Sequence, residues 1–256
     1  MNIKDSRILT IKQIYPDVIN INKPCIQGNV HDIYIATTYK NKFVCRFSDE
    51  QMAKHNCQVS QLLTQHNIPV PRVSIYKCGM EYCETYPFVE GKTLHERLIE
   101  GMPSEKVVRA YLQILDLSRE ISKLPFESVA KTKISVTAKI FAKFFSILNY
   151  SNIALCHTDL HAKNVILDNN DNIKAILDLD GVYPEYTVVP LINTVANAKS
   201  YNYDIQNLTD ICHNNNIKEK FIPIETQTKI YSAIKTAVKK VLGDIMVKQL
   251  LKIRVK

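Results

Sequence analysis

The sequence predicts an α+β protein of two lobes: a small N-terminal lobe with an antiparallel sheet and one long helix, and a larger, mainly helical C-terminal lobe. In the first 88 residues, strand-like and helix-like segments follow the order strand, strand, helix, strand, strand. Further on, apolar residues recur every three or four positions in two stretches, 104–123 and 137–149, which indicates amphipathic helices. We therefore predict an N-terminal lobe of residues 1–88 and a C-terminal lobe of residues 89–256.

Length and composition agree with this layout. A chain of 256 residues, 46% of them hydrophobic, can bury a full core as one cooperative unit. The first residues carry no apolar run of signal-peptide type, and no segment approaches the roughly 20 apolar residues that span a bilayer. The seven cysteines are odd in number and form no Cys-x-x-Cys, which indicates neither a disulfide framework nor a zinc site. We expect a cytoplasmic protein without a membrane partner; the oligomeric state stays open.

The elements of the small lobe can be placed in order. Residues 28–38 and 42–47 are predicted to be strands. The sequence from Ser48 to Gln51 has the spacing of a capping box and opens a helix over residues 49–67. An Ile-Pro-Val-Pro-Arg-Val turn then leads into two further strands. After them, Thr-Leu-His-Glu at residues 93–96 forms a second capping box, which starts a short helix.

One segment carries the residues of a recognisable chemistry. Residues 157–164 read His-Thr-Asp-Leu-His-Ala-Lys-Asn, and residues 178–180 read Asp-Leu-Asp. Phosphoryl transfer needs a carboxylate to accept the proton of an attacking hydroxyl and oxygen ligands to hold Mg²⁺ against the phosphates. Asp159, Asn164 and Asp178 can supply these groups. The alternative is a solvated loop, but a carboxylate placed directly after Ala-Ile-Leu would then end a buried strand for no evident reason.

The predicted hairpin between these motifs brings their residues together. If the Asn- and Asp-rich turn is centred on residues 170–171, Asn164 pairs with Leu177 and lies next to Asp178. Directly paired residues have Cα atoms roughly 4.5 to 5.5 Å apart, so the two side chains could share one metal ion. If the strand continues, Asp178 and Asp180 point the same way, because side chains alternate with period two.

This segment resembles the catalytic and metal-binding loops of the aminoglycoside phosphotransferase and choline kinase family, whose pattern is roughly His-x-Asp-Leu-His-x-x-Asn followed by Ile-Asp-x-Asp or Glu. Protein kinases have Asp-Phe-Gly at the second motif and usually Lys where this chain has His161. The resemblance implies a two-lobed kinase-like fold and a small-molecule kinase that uses ATP and Mg²⁺. It implies Asp159 as the catalytic base, and Asn164, Asp178 and Asp180 as metal ligands.

The resemblance extends upstream, to the residues expected to bind the nucleotide. It implies that the turn at Gly28 lies over the phosphates, although a plain hairpin turn is an equal alternative. Arg46 stands where this fold commonly has a phosphate-contacting Lys, with a solvated strand residue as the alternative. The hinge between the lobes would hold the adenine through the backbone amides of Tyr86, Phe88 and Val89. For the side chains of Tyr86 and Phe88, a place in the core or the linker is an equal alternative to a role in binding.

Two departures from the family pattern support a different reading. The helix position that commonly carries a Glu partner for the basic residue is Gln58 or Asn56 here, which leaves Glu50 as a possible compensating carboxylate. The Asp-Leu-Ala stretch expected after Asp180 is also missing. The alternative function is therefore a nucleotide-binding pseudoenzyme that acts as a regulatory or interaction module. A third alternative, a protein kinase, would need a peptide-docking segment after Asp178, and none is found.

Charge bears on the acceptor. Residues 181–256, which include predicted helices near 204–213 and 226–242, carry eleven Lys and Arg against six Asp and Glu, in a chain of net charge +8. A site for polycationic aminoglycosides would benefit from an acidic wall, so this balance favours a neutral or anionic small-molecule hydroxyl as the acceptor. The positive charge is too scattered to indicate nucleic-acid binding.

Overall fold

The structure is a computed structural model, and it describes residues 3–24, 32–125, 129 and 153–202. In the first half the elements are α1 Ile3–Ile14, β1 Val18–Asn22, β2 Asp32–Thr38, β3 Lys42–Ser48, α2 Glu50–Gln65, β4 Ser74–Cys78 and β5 Glu81–Pro87. In the second half they are β6 Lys92–Thr93, α3 Leu94–Ile99, α4 Ser104–Ser122, β7 Ile153–His157, β8 Val165–Leu167, β9 Ile173–Ile176, β10 Val182–Tyr186 and α5 Val188–Ser200. Short 3-10 turns cover Ala162–Asn164 and Leu179–Gly181.

The small lobe is built on a five-stranded antiparallel sheet with the strand order β1-β2-β3-β5-β4. The predicted succession of two strands, a helix and two strands is confirmed as β2, β3, α2, β4 and β5. Helix α1 and strand β1, which precede them, were not predicted. Strand β2 begins at Asp32, and Gly28 falls in the connection from β1 to β2, outside the described residues.

Helix α2 begins one residue later than predicted. Asp49 is its N-cap, and the carboxylate accepts a 2.8 Å hydrogen bond from the amide of Met52. The capping box predicted at Ser48 is wrong because Ser48 is still the last residue of β3, and its hydroxyl donates to Glu84. The helix ends at Gln65, and the Ile-Pro-Val-Pro-Arg-Val turn leads into β4 as predicted.

Helix α1 covers the outer face of the sheet. Its Ile11 is fully buried against Cys45, Phe47 and Cys83 of β3 and β5. Arg7 of the same helix ties the edge of this face through ion pairs to Asp32 and Glu81. Because side chains alternate along a strand, Arg46, between Cys45 and Phe47, points to the opposite face.

The large hydrophobic core joins the two lobes. Val59 and Leu63 of α2 belong to the same buried cluster as Ile114 of α4, Leu155 of β7 and Ile176 of β9. The same cluster therefore includes residues from both sides of the β5 hinge. The predicted helix over residues 104–123 is confirmed as α4, and the capping box at Thr93 is present at the start of α3.

The hairpin of β8 and β9 has the predicted register at its open end. Val165 pairs with Ile176, and the carbonyl oxygen of Asn164 accepts a 2.8 Å hydrogen bond from the amide of Leu177. The register shifts by one residue nearer the turn. The expectation that the strand continues to residue 180 is wrong: β9 ends at Ile176, and Asp178 has a left-handed backbone with φ of 59°. The period-two argument for residues 178 and 180 therefore fails.

The helices predicted over residues 137–149, 204–213 and 226–242 lie outside the described residues. Among the described helices, none combines the length and the apolar character that crossing a bilayer requires.

Candidate active site

The catalytic loop follows β7 and exposes the predicted base. Asp159 lies in the turn after His157, and its side chain is 53% exposed. The Asn164 amide donates to the Asp159 backbone carbonyl at 2.9 Å and lies 3.4 Å from a carboxylate oxygen of the same residue. On the other side, Nε2 of His161 is 3.5 Å from Oδ1 of Asp159. The carboxylate is thus oriented within the loop while one side stays open to a substrate.

His157 has a structural role in this loop. It is completely buried, and its Nε2 lies 3.1 Å from the carbonyl oxygen of Leu177. Burial lowers the pKa of His157 to about 4, so the ring is neutral at physiological pH and cannot serve as a charged proton carrier. Burial also raises the pKa of the Cys156 thiol to about 12, which makes this neighbour unreactive.

Gly181 allows the two motifs to approach each other closely. The amide and the hydroxyl of Thr158 both donate to the Gly181 carbonyl oxygen, at 2.8 and 3.1 Å. A Cβ at residue 181 would lie 3.0 Å from Cβ of Asp159 and 3.2 Å from Nδ1 of His157. Only glycine fits there without displacing the base. The sequence prediction missed this residue, although a glycine directly after an Asp-Leu-Asp motif could have indicated a close approach.

Arg46 joins the small lobe to the Asp-Leu-Asp motif. Its guanidinium is buried and makes a two-pronged ion pair with the carboxylate of Asp180, while Oδ1 of Asp178 lies 3.8 Å away. Burial alone would lower the pKa of Arg46, but the hydrogen bond and charge of Asp180 raise it above its ordinary value. The alternative of a solvated strand residue is therefore wrong.

Asn56 occupies the helix position where the pattern has a Glu. Its side-chain amide donates to Oε2 of Glu84 at 2.8 Å and to Oδ1 of Asp180 at 2.7 Å. The compensation expected from Glu50 is wrong, because this side chain lies on the exposed side of α2 and pairs with Lys54 at 2.6 Å. Glu84 was missed by the sequence prediction; its signal is a carboxylate in the interior of a strand, between Cys83 and Thr85.

Two of the three predicted metal ligands, Asn164 and Asp178, lie at the open end of the same hairpin. Asn164 is paired with Leu177, so it is next to Asp178, whose carboxylate is 43% exposed. Magnesium in phosphotransferases is commonly held by one or two side-chain oxygens together with the substrate phosphates, and this donor set fits it. Both carboxylate oxygens of Asp180 are already engaged by Arg46. In the described ranges, no three His, Cys, Asp or Glu side chains form a ready metal cluster.

The hinge offers fewer free donors than predicted. The amide of Phe88 donates to the carbonyl oxygen of Lys42 at 2.9 Å. Hydrogen-bonded pairs alternate along an antiparallel ladder, so the pair of Tyr86 and Val44, two residues away, is also hydrogen-bonded. The expected donors at Tyr86 and Phe88 are therefore committed to the sheet. The amide of Val89 is the one of the three without a backbone partner among the described residues.

Two asparagines of α5 form hydrogen bonds with the backbone of the catalytic loop. The Asn193 amide donates to the Thr158 carbonyl oxygen at 2.7 Å, and Oδ1 of Asn197 accepts from the Ala162 amide at 3.1 Å. The hydroxyl of Tyr111 donates to the same oxygen of Asn197 at 3.1 Å. These contacts hold the loop on both sides of Asp159. They come from the part of the chain after Asp180, where the Asp-Leu-Ala stretch of the family pattern is missing. Two asparagines four residues apart on a helix were the available signal.

This arrangement defines the class of fold. A small antiparallel sheet with α2 packed against it leads through β5 into a lobe that carries a catalytic loop and a metal-loop hairpin, and this is the fold of the kinase-like phosphotransferases. More particularly, the chain has the fold of the aminoglycoside phosphotransferases, as comparison with solved structures shows. No protein-family model matches the sequence, and no curated protein matches it significantly.

Three solved structures illustrate the likeness. The crystal structure of an aminoglycoside-3'-phosphotransferase of type VIII has a TM-score of 0.64 at 15% identity, covering 90% of this chain and 97% of that chain. The aminoglycoside phosphotransferase APH(4)-Ia gives 0.67 at 11% identity, with 95% and 93% covered. A GDP complex of an aminoglycoside 2'-phosphotransferase IIIa mutant gives 0.63 at 14% identity, with 93% of each chain covered. At such low identities the likeness is one of fold.

Proposed function

We propose that the protein is a phosphotransferase that moves the γ-phosphoryl group of ATP to a hydroxyl of a small molecule in the presence of Mg²⁺. The observation that carries the proposal is the convergence of three side chains. Asn164 contacts Asp159 within the catalytic loop, and its backbone is bonded to Leu177, directly before Asp178. A base and two metal ligands at this spacing are what phosphoryl transfer requires of a protein.

Asp159 acts as the base in this proposal. As the hydroxyl oxygen of the acceptor forms its bond to the γ-phosphorus, the proton of the hydroxyl passes to the Asp159 carboxylate and the bond to the ADP oxygen breaks. The Asn164 amide and His161 orient the carboxylate, and its exposed side faces the acceptor. Loss of such a base typically lowers the rate by about 10² to 10⁴.

The nucleotide lies between the lobes. Asn164 and Asp178 would hold Mg²⁺, which supplies positive charge against the phosphates, and Asp180 is retained as a possible further ligand. Arg46 contacts the phosphates, Val89 offers its amide to the adenine, and Gly28 keeps its predicted place over the phosphates. In support, solved structures of the same fold include complexes with ADP, AMP-PNP and GDP.

The acceptor is a small molecule with a free hydroxyl. The positive balance of residues 181–256 favours a neutral or anionic metabolite. An aminoglycoside is the second candidate, since two of the similar structures contain hygromycin B and another contains spectinomycin.

A coupled ADP-release screen tests the function. The acceptors offered are aminoglycosides, choline, ethanolamine, homoserine, thiamine and sugars. The phosphoryl donor is ATP or, in a parallel assay that follows GDP, GTP. We expect acceptor-dependent release that Asp159→Asn lowers by about 10² or more. The matched control is Asp116→Asn, the same change on the exposed side of α4. Equal rates for Asp159→Asn and the control would rule out the base assignment.

The pseudoenzyme remains the second candidate function. The observation that favours it is Asn56, a neutral side chain where the pattern has a Glu. It predicts Mg²⁺-dependent nucleotide binding with no release of ADP for any acceptor in the screen. Phosphate transfer to a polypeptide, with none to small molecules, would indicate a protein kinase instead.

A further inference from the structure

We infer that Glu84 of β5, acting through Asn56, is the carboxylate that orients the phosphate-binding Arg46, in place of a glutamate on α2. This inference rests on the proposed function. Glu84 is a positioning residue here, because its contacts are to other side chains and not to the reacting atoms.

The sheet register brings Glu84 to Arg46. The two residues are directly opposite in the β3–β5 pair, so they share the inner face of the sheet. Directly opposed residues have Cβ atoms about 4.5 to 5.5 Å apart, close enough for their charges to interact strongly away from water. Both side chains are buried, with 6% of Arg46 and 1% of Glu84 exposed.

A carboxyl group as deeply buried as that of Glu84 needs partners that compensate for the loss of water. A carboxylate removed from water is strongly destabilising unless a cation or several hydrogen bonds compensate it. No ion pair within 4 Å among the described residues includes Glu84, although Ser48 and Asn56 both donate hydrogen bonds to it. Arg46 is the cation that faces it, and the charge of Glu84 contributes to the raised pKa of Arg46, after the larger effects of burial and of Asp180.

Asn56 connects this carboxylate to the metal loop. Its Nδ2 donates one hydrogen bond to Glu84 and one to Asp180, which in turn holds both prongs of the guanidinium. Ionised carboxylates only accept hydrogen bonds, so these two partners fix which end of the amide is the nitrogen. The network therefore places the Glu84 carboxylate beside Arg46 on the same sheet, and the Asn56 amide connects it to Asp180.

The test isolates the charge of Glu84. Glu84→Gln removes the charge and keeps the size. Glu84→Asp keeps the charge on a side chain that is shorter by one methylene group. The matched control is Glu81→Gln, the same change on the same strand, at a residue that pairs with Arg7 on the outer face. The affinity for Mg-AMP-PNP is measured by calorimetry, which needs no acceptor, together with KM for ATP and for the acceptor.

We expect Glu84→Gln to weaken AMP-PNP binding and to raise KM for ATP by about tenfold, with KM for the acceptor unchanged. Glu84→Asp should bind more tightly than Glu84→Gln, and Glu81→Gln should bind as the wild type does. A folded Glu84→Gln variant that binds like the control overturns the inference, as does a folded Glu84→Asp variant that binds no better than Glu84→Gln.

If Glu84→Gln does not fold, Asn56→Leu, which removes the amide that links Glu84 to Asp180, decides the question: nucleotide binding equal to that of Glu81→Gln overturns the inference. The wild type and the variants could show the expected affinities for Mg-AMP-PNP while the wild type releases no ADP with any acceptor. That result would overturn the proposed phosphotransfer but leave the positioning network in place. Wild-type protein that binds no nucleotide would remove both.

Discussion

The carbonyl oxygen of Asn164 accepts a hydrogen bond of 2.8 Å from the amide of Leu177, and this bond sets residue 178 beside residue 164. The catalytic loop and the metal loop are consequently two ends of one hairpin. We expect a change in either loop to affect the other through the ladder of β8 and β9.

Substitution of Asp178 should separate its chemical role from its backbone role. Asp178→Asn keeps a side chain that tolerates the left-handed backbone, so we expect unfolding stability close to wild type and a large loss of Mg²⁺-dependent turnover. Asp178→Ala should lose the same activity and, in addition, about 1 kcal/mol of stability. Urea unfolding and ADP release measure the two effects. Full turnover in Asp178→Asn at ordinary Mg²⁺ concentrations would contradict the ligand assignment.

Gly181→Ala should move the base. The added Cβ meets Cβ of Asp159 at 3.0 Å, so we expect a loss of about 1 to 3 kcal/mol in stability and at least tenfold in kcat. Gly79→Ala is the control, because a Cβ at that turn meets no atom within 4 Å and only its positive φ strains the backbone. Thermal unfolding and kcat are compared. The idea fails if both variants lower kcat equally.

Asn197→Ala should loosen the catalytic loop from helix α5. It leaves the amide of the fully buried Ala162 without its partner, which costs about 1 to 3 kcal/mol. Tyr111→Phe removes the hydrogen bond from the hydroxyl to Asn197 but leaves the Ala162 amide paired, so it should have a smaller effect on stability. Urea unfolding gives both values, and hydrogen exchange of the Ala162 amide should become faster in the first variant alone.

Stability should fall in mild acid because of His157. The unfolded ring has a pKa of 6.5 and the buried ring about 4, so between these values the unfolded chain binds a proton that the native protein does not. The stabilisation is complete above pH 6.5 and is lost as the pH falls towards 4, by about 3 kcal/mol in total. Urea unfolding at pH 7.5 and 5.0 measures it. His157→Gln should show a smaller difference between the two pH values; an equal difference would assign the effect to other groups.

The parts of the molecule that follow local rules were predictable from the sequence. The succession of elements from β2 to β5, helix α4, the capping box at Thr93 and the pairing of Asn164 with Leu177 all depend on short-range patterns of apolar, turn and capping residues. The hairpin register was accessible because the Asn- and Asp-rich turn is short and fixes which residues face each other.

What could not be predicted depends on contacts between distant segments. The roles of Glu84 and Asn56 depend on contacts between β3, β5 and α2. Glu84 lies opposite Arg46 in the sheet, and Asn56 donates a hydrogen bond to Glu84. Gly181 matters because of atoms 22 to 24 residues earlier in the chain, and Asn193 because of a loop on another element. The end of β9 was mispredicted because the left-handed backbone of Asp178 breaks the alternation on which the strand argument relied.

The ion pair between Arg46 and Asp180 has a consequence for how a nucleotide would be held. Both terminal nitrogens of the guanidinium already donate hydrogen bonds to the carboxylate of Asp180, in the other lobe. A phosphate that reaches Arg46 must therefore exchange with, or share, an anion that is already in place. The free energy needed to separate Arg46 from Asp180 would then lower the affinity for every phosphate ligand by the same factor.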